Sequence, residues 1–459
     1  VTTYTREALD AVGAGAFVQK VIDPIVVDIQ RRYSPLLAVI PSEKWDSDVY
    51  YFNRRVKLPS GGWVRDGGAR PVGTGTYDQD LWRMKHHQTV GDVTKYAELV
   101  TKAQAGSIRG KEIEGAYKGA GWDLETAIVW GNADATAAGP DPHMAGFDSL
   151  ISAYSGSGQN SIDKAGGTFA LAYLDQLIDM VEQNLNESIG GDDWMFVTSS
   201  TAVSKAAQLL LAQQRYKEVP VAAGLNVLSY RDVPFVKSSF LATRSIQMGT
   251  VTSATATTGG VLPNTSTYIY QVSAVIARSG ETIASAEVSQ ATGATTGTHV
   301  VDLSFSTPLG FQDGGPILYK VYRTAAAGAT GTATLLGVVD ASVSLAADGV
   351  TRVATTKIRD TGAALVPMNG STTPGTLPAA YYGGNTAKKP LAAGHEGIYL
   401  VPRNRDYMLR PFVRHMQPLP LAATVSSPDS DPFAIMSDCV LAIRDPRMIG
   451  TLQRVAVSL

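Results

Sequence analysis

The sequence predicts an α+β protein interrupted near its middle by an all-β sandwich, and three observations predict it. Apolar residues recur at helical spacing through 92–131 and again through 168–211. Short alternating strands separated by turn residues occupy 246–366. Mixed helix and strand character then resumes from Pro367 to the end, so the sandwich reads as an insert between two halves of one domain. With 459 residues, 44% of them hydrophobic and 17% charged, the chain can bury large cores in two or three domains. That composition excludes a disordered chain or a coiled coil.

Charge and cysteine content narrow the function classes. A formal net charge of -2 provides no global basic field for nucleic acid or an anionic membrane, although local basic faces exist. The single cysteine, Cys439, rules out an intramolecular disulfide framework and a cysteine-clustered zinc site. Lying in the apolar run Ala434 to Ile443, it reads as an inert buried thiol. No apolar run approaches the roughly 20 residues of a membrane span, and the first residues lack a secretory pattern. A soluble protein made in a reducing cytoplasm is expected.

Taken in order, residues 1–45 read as an arm, with a short helix over 23–32 among Pro24, Pro35 and Pro41. Residues 46–90 read as a long hairpin: Val49 to Phe52, Arg54 to Leu58 and Tyr77 to Met84 have strand composition, and glycines from Gly61 to Gly75 form its tip. Such a hairpin has little core and needs another surface to lie on. Residues 91–165 hold a long helix, Ile108 to Trp130, with Ile113, Ala116, Tyr117, Ala120, Leu124, Ala127 and Ile128 on one stripe. Its interior glycines each cost about 1 kcal/mol relative to alanine.

Residues 166–245 form an α/β section. One helix begins at Thr168 and stops at Gly190-Gly191, Trp194 to Val197 is a buried strand, and Ser200 or Thr201 caps the next helix. In the insert, 246–366, the only lysines are Lys320 and Lys357, and Tyr268, Tyr270, Val272 and Ala274 share one face of a strand. Residues 367–459 return to the earlier domains.

The search for chemistry yields no catalytic, cofactor or metal site. His86-His87 is the only histidine cluster, and adjacent strand residues point to opposite faces, which disfavours a shared metal. Asp192-Asp193 and Asp429-Ser430-Asp431 lack the glycine and terminal glutamate of a calcium loop and read as turns or helix caps. There is neither a phosphate loop nor a Gly-x-Ser-x-Gly elbow. Basic residues do cluster, and those offered as contacts between subunits are Arg54, Arg55, Lys57, Arg65, Arg70, Arg83, Lys85, Arg403 and Arg405. Arg410 and Arg414 extend the last group.

The order of arm, hairpin, long helix, α/β section and strand-rich return resembles the major capsid proteins of tailed bacteriophages, the Hong Kong 97 type. Trp194-Met195-Phe196-Val197-Thr198-Ser199-Ser200 running into a helix, Asp232-Val233-Pro234-Phe235-Val236, and the ending Ala442 to Ile449 carry the resemblance best. Tyr268 to Val275 followed by Ser279-Gly280-Glu281-Thr282, with Tyr319 to Arg323 and Asp360-Thr361-Gly362, resembles fibronectin type III or immunoglobulin-like modules. The resemblance implies an icosahedral shell of hexamers and pentamers, located in the virion and assembled in the host bacterial cytoplasm. It implies packaged double-stranded DNA held without sequence readout on the inner face, with portal, scaffold and decoration proteins as further partners and no enzymatic activity. No reacting lysine-asparagine pair is identifiable, so crosslinking between subunits is not expected. The alternatives are an encapsulin-type nanocompartment, disfavoured by size and the insert, and a surface adhesin or carbohydrate-active protein, disfavoured by the lack of secretion signals and visible paired carboxylates.

Overall fold

The computed structural model describes residues 35–66, 68–69, 73–105, 107–131, 144–154, 160–190, 193–212, 217–222, 225–241, 248–276, 280–295, 297–306, 315–344, 352–368, 395–421 and 429–457. The arm helix expected over 23–32 lies outside these residues. By packing, the described chain forms a smaller unit, 88–120 with 416–436, and a larger unit comprising the remainder.

The larger unit is built on a seven-stranded sheet in the order Ser161–Asp163, Gly450–Ala456, His395–Pro402, Trp194–Thr198, Val233–Lys237, Leu225–Tyr230 and Lys217–Ala222. Its central strand is apolar at four successive positions, and all five of its residues are buried. Continuous burial of that kind requires both faces of the strand to be covered. The strand pairs in parallel with Val233–Lys237 and antiparallel with His395–Pro402. Helix Leu171–Leu185 contributes Leu174, Leu177, Ile178 and Val181 to the same core as Phe196 and Phe235, and helix Ser200–Ala212 adds Val203, Ala206 and Leu210. The two phenylalanine rings stack with centroids 4.9 Å apart. At Gly450 the helix comes so close that a Cβ would stand 2.7 Å from Val181 Cγ2 and 2.9 Å from Leu177 Cδ1, so any larger residue would force those core side chains to shift.

Both helix ends differ from expectation. Helix Leu171–Leu185 begins after Thr168 and stops before Gly190, at Asn186 in the left-handed conformation (φ 53°). Asparagine tolerates that region better than other residues with a Cβ, so the chain turns without waiting for the glycines. The cap of the next helix is Ser199, whose Oγ accepts a hydrogen bond from the Ala202 N–H at 3.2 Å.

Within the larger unit, residues 251–368 contain only strands among those described. Val251–Ala256, Val300–Phe305, Lys357–Asp360 and Leu365–Met368 make one antiparallel sheet. Gly280–Glu281, Thr267–Ile276, Pro316–Arg323 and Thr334–Asp340 make a second, with Val288–Ala291 also on Thr267–Ile276. One core lies between them, holding Tyr268, Tyr270, Val272 and Ala274 opposite Val301, Leu303, Phe305 and Ile358. A buried carboxylate ties the sheets together: Asp360 Oδ2 accepts from Tyr270 OH at 2.8 Å and from Arg323 Nη1 at 2.6 Å. Burial and the Asp360 charge push the Tyr270 hydroxyl far above its ordinary pKa.

The long helix is Ile108–Trp130. In the smaller unit its Ala120 is buried with Phe433 and Ile435, and Ile113, Ala116, Tyr117 and Met416 pack on them. The helix Lys95–Ala105 of that unit starts on Asp429, whose backbone carbonyl accepts from the Lys95 N–H at 2.9 Å and whose Oδ2 accepts from the Tyr96 N–H at 3.2 Å. Asp429 thus serves as a helix cap, while Asp431 Oδ2 pairs with Arg109 Nε at 3.0 Å. In the larger unit Leu124, Ile128 and Val129 are buried, and Trp130 Nε1 donates to the Phe240 carbonyl at 2.7 Å. Gly131 ends the helix where a Cβ would collide with the Met144 carbonyl. Among the described residues no helix is long and apolar enough to cross a membrane.

Phe196→Ala is expected to destabilise the purified protein by about 3–5 kcal/mol in chemical denaturation, because the cavity opens at the centre of a core with little room to collapse.

Candidate functional site

The hairpin pairs Val49–Lys57 with Thr76–Arg83, setting Tyr50 opposite Trp82 and Arg54 opposite Asp78. Its root is buried through Tyr50, Phe52, Trp82 and Met84. Trp45 packs edge-on against Tyr50 with centroids 4.9 Å apart, and Arg444 Nη2 donates to Tyr50 OH at 3.0 Å. Toward the tip the burial stops. Tyr51, Val56, Leu58, Val64 and Tyr77 are all at least half exposed, and Trp63 is fully exposed. A tryptophan and its apolar neighbours in water mark a surface suited to a partner.

The basic residues singled out from sequence fall into different environments. Arg54 is committed within the hairpin, 2.9 Å from Asp78 Oδ2 and 3.4 Å from Asp80 Oδ2. Arg55 lies over the Tyr77 ring, its Cζ 5.2 Å from the centroid. Lys57 and Arg65 are exposed near the tip, and Arg70 lies outside the described residues. Arg83 and Lys85 are half-buried at the hairpin root. Arg403 is half-buried, its backbone N–H donating to the Asp193 carbonyl, and Arg405 Nη2 bonds Glu43 Oε1 at 2.6 Å. Exposed pairs such as these contribute about 0–1 kcal/mol each to folding. Arg410, grouped with them by sequence, is instead fully buried, and burial pulls its guanidinium below the usual arginine pKa.

Two polar clusters escaped the sequence reading, because each joins residues far apart in the chain. The first is Asp438, which receives His86 Nδ1 at 2.8 Å and the Arg414 guanidinium. Burial pulls its carboxyl upward, but the hydrogen bonds and charges of Arg414 and His86 outweigh it and hold the pKa below the ordinary aspartate value. His87 faces Asp123, with Nε2 3.5 Å from Oδ2, so the two adjacent histidines have separate acidic partners.

The second cluster surrounds Lys320. Its Nζ lies 2.8 Å from Asp148 Oδ2 and 3.2 Å from Glu281 Oε2, and 5.0 Å from the Trp130 ring centroid. Glu281 Oε1 accepts from Ser273 Oγ at 2.6 Å and from Tyr322 OH at 2.8 Å, while Tyr399 OH reaches Asp148 Oδ1 at 3.4 Å. Burial lowers the Lys320 pKa, and Asp148 and Glu281 more than reverse this, so the ion pair is the resting state. Lys320 and Tyr322 alternate with Tyr319 and Val321 of the sandwich core. Lys320 and Tyr322 are therefore buried on the other face of this strand, where Lys320 meets Asp148 of the helix Phe147–Tyr154.

Residues 83–256 match the family model of the SU10 major capsid protein. The resemblance is to phage major capsid proteins. Over those residues the chain is similar to a major capsid protein, and the architecture of the described residues is mixed, strand-rich α/β. Among solved structures, Mycobacterium phage Bobi superimposes with a TM-score of 0.48 at 9% identity, covering 98% of this chain and 99% of that one. The capsid of a native GTA particle gives 0.46 at 9% identity, covering 98% and 100%. The holo-SrpI encapsulin complex of Synechococcus elongatus PCC 7942 gives 0.43 at 9%, covering 98% and 96%. No curated protein matches the chain.

The Asp438 cluster gives the protein a pH signature. A carboxyl whose folded pKa is depressed stabilises the fold above its unfolded pKa, near 3.9, and loses that contribution as pH falls through the folded value. Asp438→Asn is therefore expected to destabilise the subunit by about 1–3 kcal/mol at neutral pH. The gap to wild type should begin to narrow as denaturation is repeated at successively lower pH below about 4, and close only once the pH is below the folded value.

Proposed function

We propose that the chain is the structural major capsid protein of a tailed bacteriophage, self-assembling into an icosahedral head around double-stranded DNA. The match of 83–256 to the SU10 major capsid protein carries this reading. In it, residues 1–45 are the arm, 46–90 the extended loop, 91–165 the peripheral domain and 166–245 the axial domain. Residues 246–366 are an inserted immunoglobulin- or fibronectin-like sandwich, and 367–459 return to the axial and peripheral domains. The sharing of one core by two antiparallel sheets supports the assignment of the insert.

The hairpin lies over a neighbouring subunit in hexamers and pentamers, covering Trp63 and Tyr77. Arg55, Lys57, Arg65, Arg83, Lys85 and Arg403 meet complementary charge at the seams. Arg54 and Arg405, which also pair within the chain, belong to the same set of contacts. Arg70 belongs to the same group by sequence. DNA touches the inner face without sequence readout, and portal, scaffold and decoration proteins complete the particle in the host cytoplasm. The role is structural, with no catalytic turnover.

Negative-stain electron microscopy of the purified chain tests the proposal. Closed icosahedral particles, or rings of five and six, are the expected result, and a monodisperse monomer that stays monomeric with scaffold or head-processing protease supplied would overturn it. Small uniform particles that retain cargo enzymes would favour a nanocompartment. Trp63→Ala should change subunit stability by no more than about 0.5 kcal/mol, since its ring is already in water. Its particle yield should nonetheless fall well below wild type on the same grids. Equal yields would remove the hairpin tip from the assembly contacts.

A further inference from the structure

The cluster around Lys320 places an amine against a carboxyl group under conditions that favour more than an ion pair. We propose that Lys320 and Asp148 condense spontaneously into an intramolecular isopeptide bond, with Glu281 as the proton carrier, welding the β-sandwich to the helix Phe147–Tyr154.

Four observations carry the proposal. Lys320 is 2% exposed, so bulk water is largely excluded from the amine and cannot compete for the reaction. Its Nζ is already in hydrogen-bond contact with the carboxyl it would attack, 2.8 Å from Asp148 Oδ2, and both groups are held by a sheet and a helix rather than by loops. Tyr399 OH reaches Oδ1 of the same carboxyl at 3.4 Å, placing a donor beside the oxygen on which negative charge develops when Cγ becomes tetrahedral. Glu281 is fixed through Oε1 by Ser273 and Tyr322, which leaves Oε2, 3.2 Å from Nζ, to take up and return a proton.

The step balances without any co-reactant. The Lys320 ammonium passes one proton to Asp148, giving a neutral amine and a neutral acid, an uphill exchange because Asp148 and Glu281 hold the amine in its charged form. The nitrogen lone pair forms the bond to Cγ. Glu281 accepts a second proton from nitrogen and delivers it to the departing hydroxyl, whose C–O bond breaks with its electron pair to release water. The products are one secondary amide, one water and the regenerated Glu281 carboxylate. Because the ion pair is the resting state, the neutral pair is a minority form, and condensation should be slow compared with folding. Once formed, the amide is shielded from hydrolysis by the same burial.

Intact-mass spectrometry of the purified full-length chain, followed over days at neutral pH, tests this. The expected result is a mass lower than that of the sequence by one water, with proteolysis releasing a branched peptide that joins the segments containing Asp148 and Lys320. Lys320→Arg and Glu281→Gln should each retain the full mass. Arginine keeps the positive charge, so a folded K320R chain separates loss of chemistry from loss of structure. A wild-type chain that stays at its full mass would overturn the proposal. So would a water loss that digestion places elsewhere, such as a succinimide at an Asp-Gly pair. Neither result depends on whether the subunit assembles.

Discussion

The arrangement of the larger unit depends on one long-range pairing. Trp194–Thr198 buries every side chain and must be flanked on both edges, and the strand on one edge, His395–Pro402, comes from almost 200 residues further along. Lys237 pairs beside Thr198, and Thr198 Oγ1 donates to the Gly397 carbonyl at 3.2 Å. The chain therefore leaves and re-enters the sheet at the same end, two strand spacings or about 10 Å apart. A closed loop with ends so near can carry a whole domain, because closure entropy grows only logarithmically with length. The β-sandwich is accommodated by that geometry rather than by anything in the sheet's own sequence.

Two kinds of surface follow from this division of labour. Apolar residues at the hairpin root are buried within the subunit, and those toward its tip are left in water, so one ribbon is both a folded element and an unpaired surface. In the sandwich, by contrast, both lysines meet acidic partners. Of its two lysines, Lys320 is enclosed by Asp148 and Glu281, and Lys357 lies 3.2 Å from Asp302, which Arg359 also engages. A buried cation without such partners would cost several kcal/mol, so the acidic residues that meet these lysines are structural requirements.

Much of the architecture was legible in the sequence because it rests on local periodicity. The apolar stripe of Ile108–Trp130, the continuous run at Trp194 and the alternation along Thr267–Ile276 each report their own burial, and the structure has them at those places. Helix ends were less legible. Asn186 and Ser199 end and begin their helices through backbone conformation and a single hydrogen bond, where neighbouring glycines and hydroxyls looked equally suitable. The polar clusters were not legible at all. Asp148 and Lys320 are separated by 172 positions, and nothing local to either announces the other. Counting basic residues likewise could not separate Arg54, already paired, from Lys57, or reveal that Arg410 is buried.

The shared point of departure and return also decides how the subunit responds to force. A pull on the sandwich reaches the sheet through Val233–Lys237 and His395–Pro402 together, one on each side of the central strand. Tension along those strands loads their hydrogen bonds side by side instead of unzipping them in turn. The attachment thus resists shear collectively, and a load on the sandwich is shared by both strands instead of breaking one bond at a time.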